Sequence, residues 1–114
     1  MTIEIWHNPR CSKSRATLAL LEERGVAPEI VLYLEAPPTK ARLREVLVAL
    51  GRRPIELVRS KEAVFAERGL SKDSSDEELL EAMTAEPKLI ERPIVITPKG
   101  AALGRPPEDV LAIL

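Results

Sequence analysis

The chain has one cysteine, Cys11, in 114 residues. A lone thiol excludes any intramolecular disulfide and supplies no structural zinc cluster. Aromatic residues are nearly as scarce, with Trp6, Tyr33 and Phe65 the only three, so the core falls to Leu, Val, Ile and Ala. Glutamine is absent and Asn8 is the sole asparagine. No apolar run is long enough to span a bilayer. The opening Met1-Thr2-Ile3-Glu4 runs straight into a strand pattern, with no charged-then-apolar leader. A cytoplasmic location is the expectation. Excess charge of one sign is also missing, the net charge being -1, which argues against nucleic acid or a membrane surface as partner.

What remains is the makeup of an ordinary globular domain, 45% hydrophobic and 31% charged. The length predicts one domain over 1–114, large enough to bury a core without metal or disulfide. Thr2–Trp6 alternates apolar with polar residues and reads as a strand. Asn8-Pro9 breaks it. Ser12–Arg24 reads as a helix with Ala16, Leu18, Ala19, Leu20 and Leu21 on a broad apolar face, and Gly25 falls where a left-handed cap belongs. Glu29–Tyr33 is a second strand. Strand, helix and strand at this spacing predict a parallel pair joined by a right-handed crossover.

Thr39 caps a helix carrying Leu43, Val46, Leu47 and Leu50 on one face, stopped at Gly51. Short helices follow at Pro54–Val58 and around Ala63-Val64-Phe65. Ser75 and Glu78 form a capping box for a helix presenting Leu79, Leu80 and Met83. Ile94-Val95-Ile96 is a buried strand, Pro98-Lys99-Gly100 a turn, and Ala101–Gly104 the second arm of a hairpin. Pro106-Pro107 opens a terminal helix. The order predicts an α/β fold with a sheet of about four strands and an inserted helical segment.

Cys11 stands at the mouth of the strand–helix–strand unit, just ahead of the first helix. Unpaired backbone N–H groups and the helix dipole favour negative charge there. Arg10, Lys13 and Arg15 add positive charge, and His7 lies on the same loop. Each favours the thiolate, the reactive form of cysteine. Free cysteines more often serve as small buried hydrophobes. A loop position between Pro9 and two serines speaks for reactivity instead. Cys11-Ser12-Lys13-Ser14 has the C-x-x-C spacing with serine in the second place, so an oxidised Cys11 needs an external thiol to resolve it. Arg59, Arg92 and Arg105 each sit at the end of an element, where sites are assembled. Any one arginine alone reads as surface charge. Three guanidinium forks around a thiolate would hold a tetrahedral oxyanion such as arsenate or phosphate.

These residues resemble a known family. His7-Asn8-Pro9-Arg10-Cys11-Ser12-Lys13-Ser14-Arg15, Leu32-Tyr33-Leu34-Glu35, Leu57-Val58-Arg59, Arg92-Pro93-Ile94-Val95 and Arg105-Pro106 are similar, in order, to the glutaredoxin-dependent arsenate reductases. That is the ArsC-like branch of the thioredoxin superfamily. The resemblance implies a thioredoxin-like fold, a mixed sheet with flanking helices, and a catalytic cysteine at Cys11. It implies that His7 helps hold the thiolate and that Arg59, Arg92 and Arg105 bind the oxyanion. Asn8, Ser14, Arg15 and Pro93 fall in supporting positions, with Pro93 cis, as prolines preceding the third strand of such folds usually are. No metal is implied and no tightly bound cofactor. Arsenate is the implied substrate, glutathione the co-substrate and glutaredoxin the partner, with the chain expected to be a monomer.

Two alternatives stay open: a glutathione-dependent thiol oxidoreductase with another substrate, and a non-enzymatic regulator that binds a protein partner. Polymerase-binding relatives of the second kind carry C-x-x-C, and Ser14 argues against it. The phosphatase type of arsenate reductase needs arginine six positions after the cysteine; Thr17 stands there.

Overall fold

The computed structural model describes residues 2–114. Backbone contacts divide the chain into two compact units, one formed by residues up to Ala36 with Arg92–Leu114, the other by Pro37–Glu91.

The first unit carries the sheet. Strand β1 (Glu4–Trp6) leads through helix α1 (Ser12–Glu23) to strand β2 (Glu29–Val31), which pairs parallel to β1 with Ile5 opposite Ile30. Strands β3 (Ile94–Thr97) and β4 (Gly100–Leu103) form an antiparallel hairpin, and β3 pairs antiparallel with β1, giving the order β2-β1-β3-β4. The mixed four-stranded sheet is thus the expected one. Ile5, Leu21, Val95 and Val110 form its fully buried centre. Gly25 takes the left-handed conformation (φ 76°) that lets its N–H and that of Val26 close the end of α1.

Three expectations are corrected here. Helix α1 buries Ser14, Thr17 and Leu21, whereas Ala16 and Ala19 are exposed. Apolar content misidentified the face because both buried polar side chains have hydrogen-bond partners inside, which removes the penalty for burying them. The second strand ends at Val31; Leu32 and Leu34 turn outward while Tyr33 is buried. The terminal helix, Pro107–Ile113, is of the tighter 3-10 kind, with Asp109 N–H donating to the Pro106 carbonyl three residues back. The Arg92-Pro93 peptide is cis, as the resemblance implied, and so is Arg105-Pro106, which nothing in the sequence marked.

The inserted unit is helical. Helix α2 (Lys40–Leu50) packs on helix α5 (Asp76–Ala85), with α3 (Pro54–Leu57) also against α5 and α4 (Ala63–Glu67) between them in sequence. Leu43, Val46 and Leu47 of α2 and Leu79, Leu80 and Met83 of α5 are the buried residues that the 3.6-residue spacing singled out. Lys40 and Arg44 of α2 pair with Glu77 on α5, and Lys40 also reaches Glu81 at 3.3 Å. The Ser75–Glu78 capping box is present in both directions.

Thr39 Oγ1 accepts the Arg42 N–H at 3.1 Å, satisfying one donor of the first turn of α2. Thr39→Ala should therefore lower stability by about 1 kcal/mol, read as a shift of the urea midpoint with an unchanged slope. Among the described residues no helix is long and apolar enough to cross a membrane.

Candidate active site

Parallel pairing carries β1 one residue past its end, because His7 N–H donates to the Val31 carbonyl at 2.9 Å. The chain then turns sharply. Asn8 Oδ1 accepts from Arg10 N–H (3.0 Å), and the Asn8 carbonyl accepts from Cys11 N–H (3.0 Å). Pro9 suits this turn by fixing its own φ. Arg15 reaches back from the first turn of α1 to bond the Pro9 carbonyl through Nη1 at 2.9 Å. Asn8 and Arg15 thus hold the loop that presents the cysteine.

Cys11 is the N-cap of α1, in extended conformation (φ -94°, ψ 124°), and its carbonyl accepts the first helical bond from Arg15 N–H. Its side chain makes no capping hydrogen bond and is half-buried. The sulfur consequently sits at the positive end of a 12-residue helix, where the N–H groups of the first turn have no helical acceptor.

Behind the cysteine lies a small buried polar network. His7 is 6% exposed, and its Nδ1 is 2.6 Å from Ser14 Oγ, which also accepts the Asn8 N–H at 3.0 Å. Ser14 itself is fully buried. A Ser14 O–H directed at Nδ1 places the ring proton on Nε2; the reverse donation places it on Nδ1. Serine at the second position of the C-x-x-C spacing is thus an anchor that ties helix to loop.

Burial, and secondarily the nearby Arg15 charge, lowers the pKa of His7 below its ordinary 6.5. The ring is neutral at neutral pH. The unfolded chain takes up this proton first as pH falls, so His7 contributes stability that is present above pH 6.5 and lost as pH drops through its lowered folded value. Because the chain has one histidine, the imidazole NMR signals are unambiguous, and they are expected to titrate below 6.5. A midpoint at or above 6.5 would contradict the buried network.

At the other side of β1, Pro93 is buried just before β3 and its carbonyl accepts from Gly104 N–H at 3.0 Å. Arg92 and Arg105 are brought together, Arg105 Nη1 donating to the Arg92 carbonyl at 3.0 Å. Arg59 belongs to the inserted unit. Its N–H bonds the Leu89 carbonyl at 2.7 Å, and Val58 bridges to Ile90, so its backbone is fixed. Its guanidinium pairs with Glu62 at 3.0 Å and approaches Glu91 at 3.8 Å. The sequence singled out Arg59 but missed these two carboxylates, although Arg59 and Glu62 are the two ends of one turn, closed by Glu62 N–H donating to the Arg59 carbonyl at 3.1 Å.

A mixed four-stranded sheet with a lone cysteine at the first helix N-terminus, interrupted by a helical insertion, defines the thioredoxin-like class. Within that class the chain belongs to the ArsC family, whose profile matches residues 6–113. The "Arsenate reductase" of Rhizobium meliloti (strain 1021) is 48% identical over all of this chain and 82% of its own length. Escherichia coli (strain K12) YfgD, uncharacterized by name, is 54% identical over 98% of this chain and 96% of its own length. Among solved structures, the arsenate reductase from Vibrio cholerae superposes with a TM-score of 0.95 at 47% identity, covering 100% of this chain and 98% of its own.

Proposed function

We propose that the chain reduces arsenate to arsenite through a Cys11 thiolate, with glutathione and glutaredoxin as the external reductants. One observation supports this most directly: the only thiol stands at the N-terminus of α1 with its side chain outside any capping bond. A relative at 48% identity that is named an arsenate reductase points the same way.

In this scheme the Cys11 sulfur attacks arsenic, an S–As bond forms, and one arsenic-bound hydroxyl leaves as water after taking up a proton. The guanidinium groups of Arg92 and Arg105, with Arg59 as the third, offset the negative charge on the remaining oxygens. His7, held by Ser14, supports the thiolate. A glutathione sulfur then supplies the second thiol, and the disulfide that results carries away the two electrons' worth of oxidation. The sum is balanced: arsenic acid and two thiols give arsenous acid, one disulfide and one water. With no second cysteine, Cys11 cannot complete this sequence alone. Glutaredoxin restores the thiol.

Purified chain with glutathione, glutaredoxin and arsenate is expected to form arsenite, and omission of either thiol component is expected to stop it. Turnover no higher than that of Cys11→Ser would refute the proposal. The pairing of Arg59 with Glu62 and Glu91 favours one other reading, a glutathione-dependent oxidoreductase acting on a different substrate. Such an enzyme would turn over a glutathione mixed disulfide and be indifferent to Arg59→Ala.

A further inference from the structure

We propose that a cleft beside Cys11, built from the two turns that follow β1 and β2, is the docking site for the reducing thiol, and that it selects a small zwitterionic thiol peptide of the glutathione kind. The proposal rests on Cys11 being a one-thiol centre served from outside.

The two strands run parallel, so their carboxyl ends lie side by side, the position where α/β sheets commonly bind ligands. After β1 the chain turns through Asn8, Pro9 and Arg10 into Cys11; after β2 it turns again, the Glu35 and Ala36 N–H groups both donating to the Leu32 carbonyl at 2.9 Å. Between these turns lies a cavity of about 380 Å³ lined by His7, Asn8, Arg10, Leu32, Leu34 and Glu35, with Pro9 at its wall. That is the lower range for a small-molecule site.

Its lining has a definite chemistry. Leu32 and Leu34 are 37% and 41% exposed, an apolar wall with no covering side chain of its own. Arg10 supplies a cation and Glu35 an anion, and neither makes an ion pair among the described residues. A γ-glutamyl tripeptide carries two carboxylates and one ammonium, which matches a cleft offering one charge of each sign. Strand β2 is also an edge, paired only with β1, so its outer backbone is open to an extended peptide. Arg10 precedes Cys11 directly, so the cleft is lined by the same short loop that carries the reacting sulfur.

The test uses the full chain without arsenate, so failure of the arsenate scheme would leave its outcome standing. S-methylglutathione, which binds without reacting, is expected to shift the amide NMR signals of Asn8, Arg10, Leu34 and Glu35. In a second arm Cys11 exchanges with glutathione disulfide, its thiolate forming a mixed disulfide and releasing one glutathione thiolate. The uncharged hydroxyethyl disulfide serves as comparator. Arg10→Glu and Glu35→Lys should each lower the ratio of the two rates by about threefold, and together by about tenfold. The ratio cancels any change in the nucleophilicity of Cys11 itself. Unchanged ratios, or amide shifts confined to other residues, would overturn the assignment.

Discussion

Cys11→Ser is expected to abolish arsenite formation, by about a thousandfold or more, while making the protein slightly more stable. The loss follows from chemistry: a serine hydroxyl is not ionised at neutral pH and forms no sulfur–arsenic bond. The gain follows from position. Cys11 is the N-cap of α1 and makes no capping hydrogen bond. Serine is among the best residues for that place, since its oxygen accepts an N–H from the first turn. An increase of about 0.5–1 kcal/mol in unfolding free energy is expected, read from urea melts of both proteins. The sequence keeps a poorer cap where a better one is chemically close at hand, as a reactive sulfur requires. Loss of activity together with loss of fold would contradict this account.

Gly104→Ala is expected to be the most damaging single methyl in the first unit. A Cβ at this position would overlap Thr17 Oγ1 and lie 2.8 Å from Pro93 Cγ and 3.0 Å from Thr17 Cγ2. Neither neighbour is a flexible end. Pro93 is a buried ring, and Thr17 is fully buried on α1 with Oγ1 donating to the Lys13 carbonyl at 2.8 Å. Overpacking against such groups costs about 1–3 kcal/mol or more, equivalent to roughly 5–15 °C in melting temperature for a chain of this size. Thr17→Ala removes two of the three clashing atoms. The double variant should therefore be more stable than the sum of the single effects predicts, a coupling that thermal melts of the four proteins would reveal. Strict additivity would show that Gly104 is not packed as described.

Legibility in the sequence followed the range of the interaction. Local signals were readable. Thr39 and Ser75 sit as caps, Gly25 and Gly51 take left-handed conformations at helix ends, and α2 and α5 bury the residues their spacing named. The parallel β1–β2 pair followed from strand–helix–strand spacing, and Cys11 was placed at the helix N-terminus by the Asn8-Pro9 break.

Distant partners were not readable. Ser14 and Thr17 fell outside the apolar face read for α1, yet both are buried: Ser14 meets His7 Nδ1 from the preceding loop, and Thr17, which donates to the Lys13 carbonyl of its own helix, packs against Gly104 from a distant turn. The face of α1 was misassigned for that reason. Arg59 stood out as a cation at the end of a short helix, but its pairing with Glu91 needed the fold of the inserted unit. The 3-10 form of the terminal helix also escaped, since its apolar spacing alone does not separate three residues per turn from 3.6.

The central proposal is that the Cys11 sulfur bonds arsenic while arginines hold the oxyanion. The most direct measurement is a crystal of the reduced chain soaked with arsenate. The account predicts density continuous from Cys11 Sγ to arsenic, with the oxygens held by Arg92 and Arg105. An unmodified Cys11 sulfur in crystals soaked to saturation, with the anion absent or bound elsewhere, would contradict it.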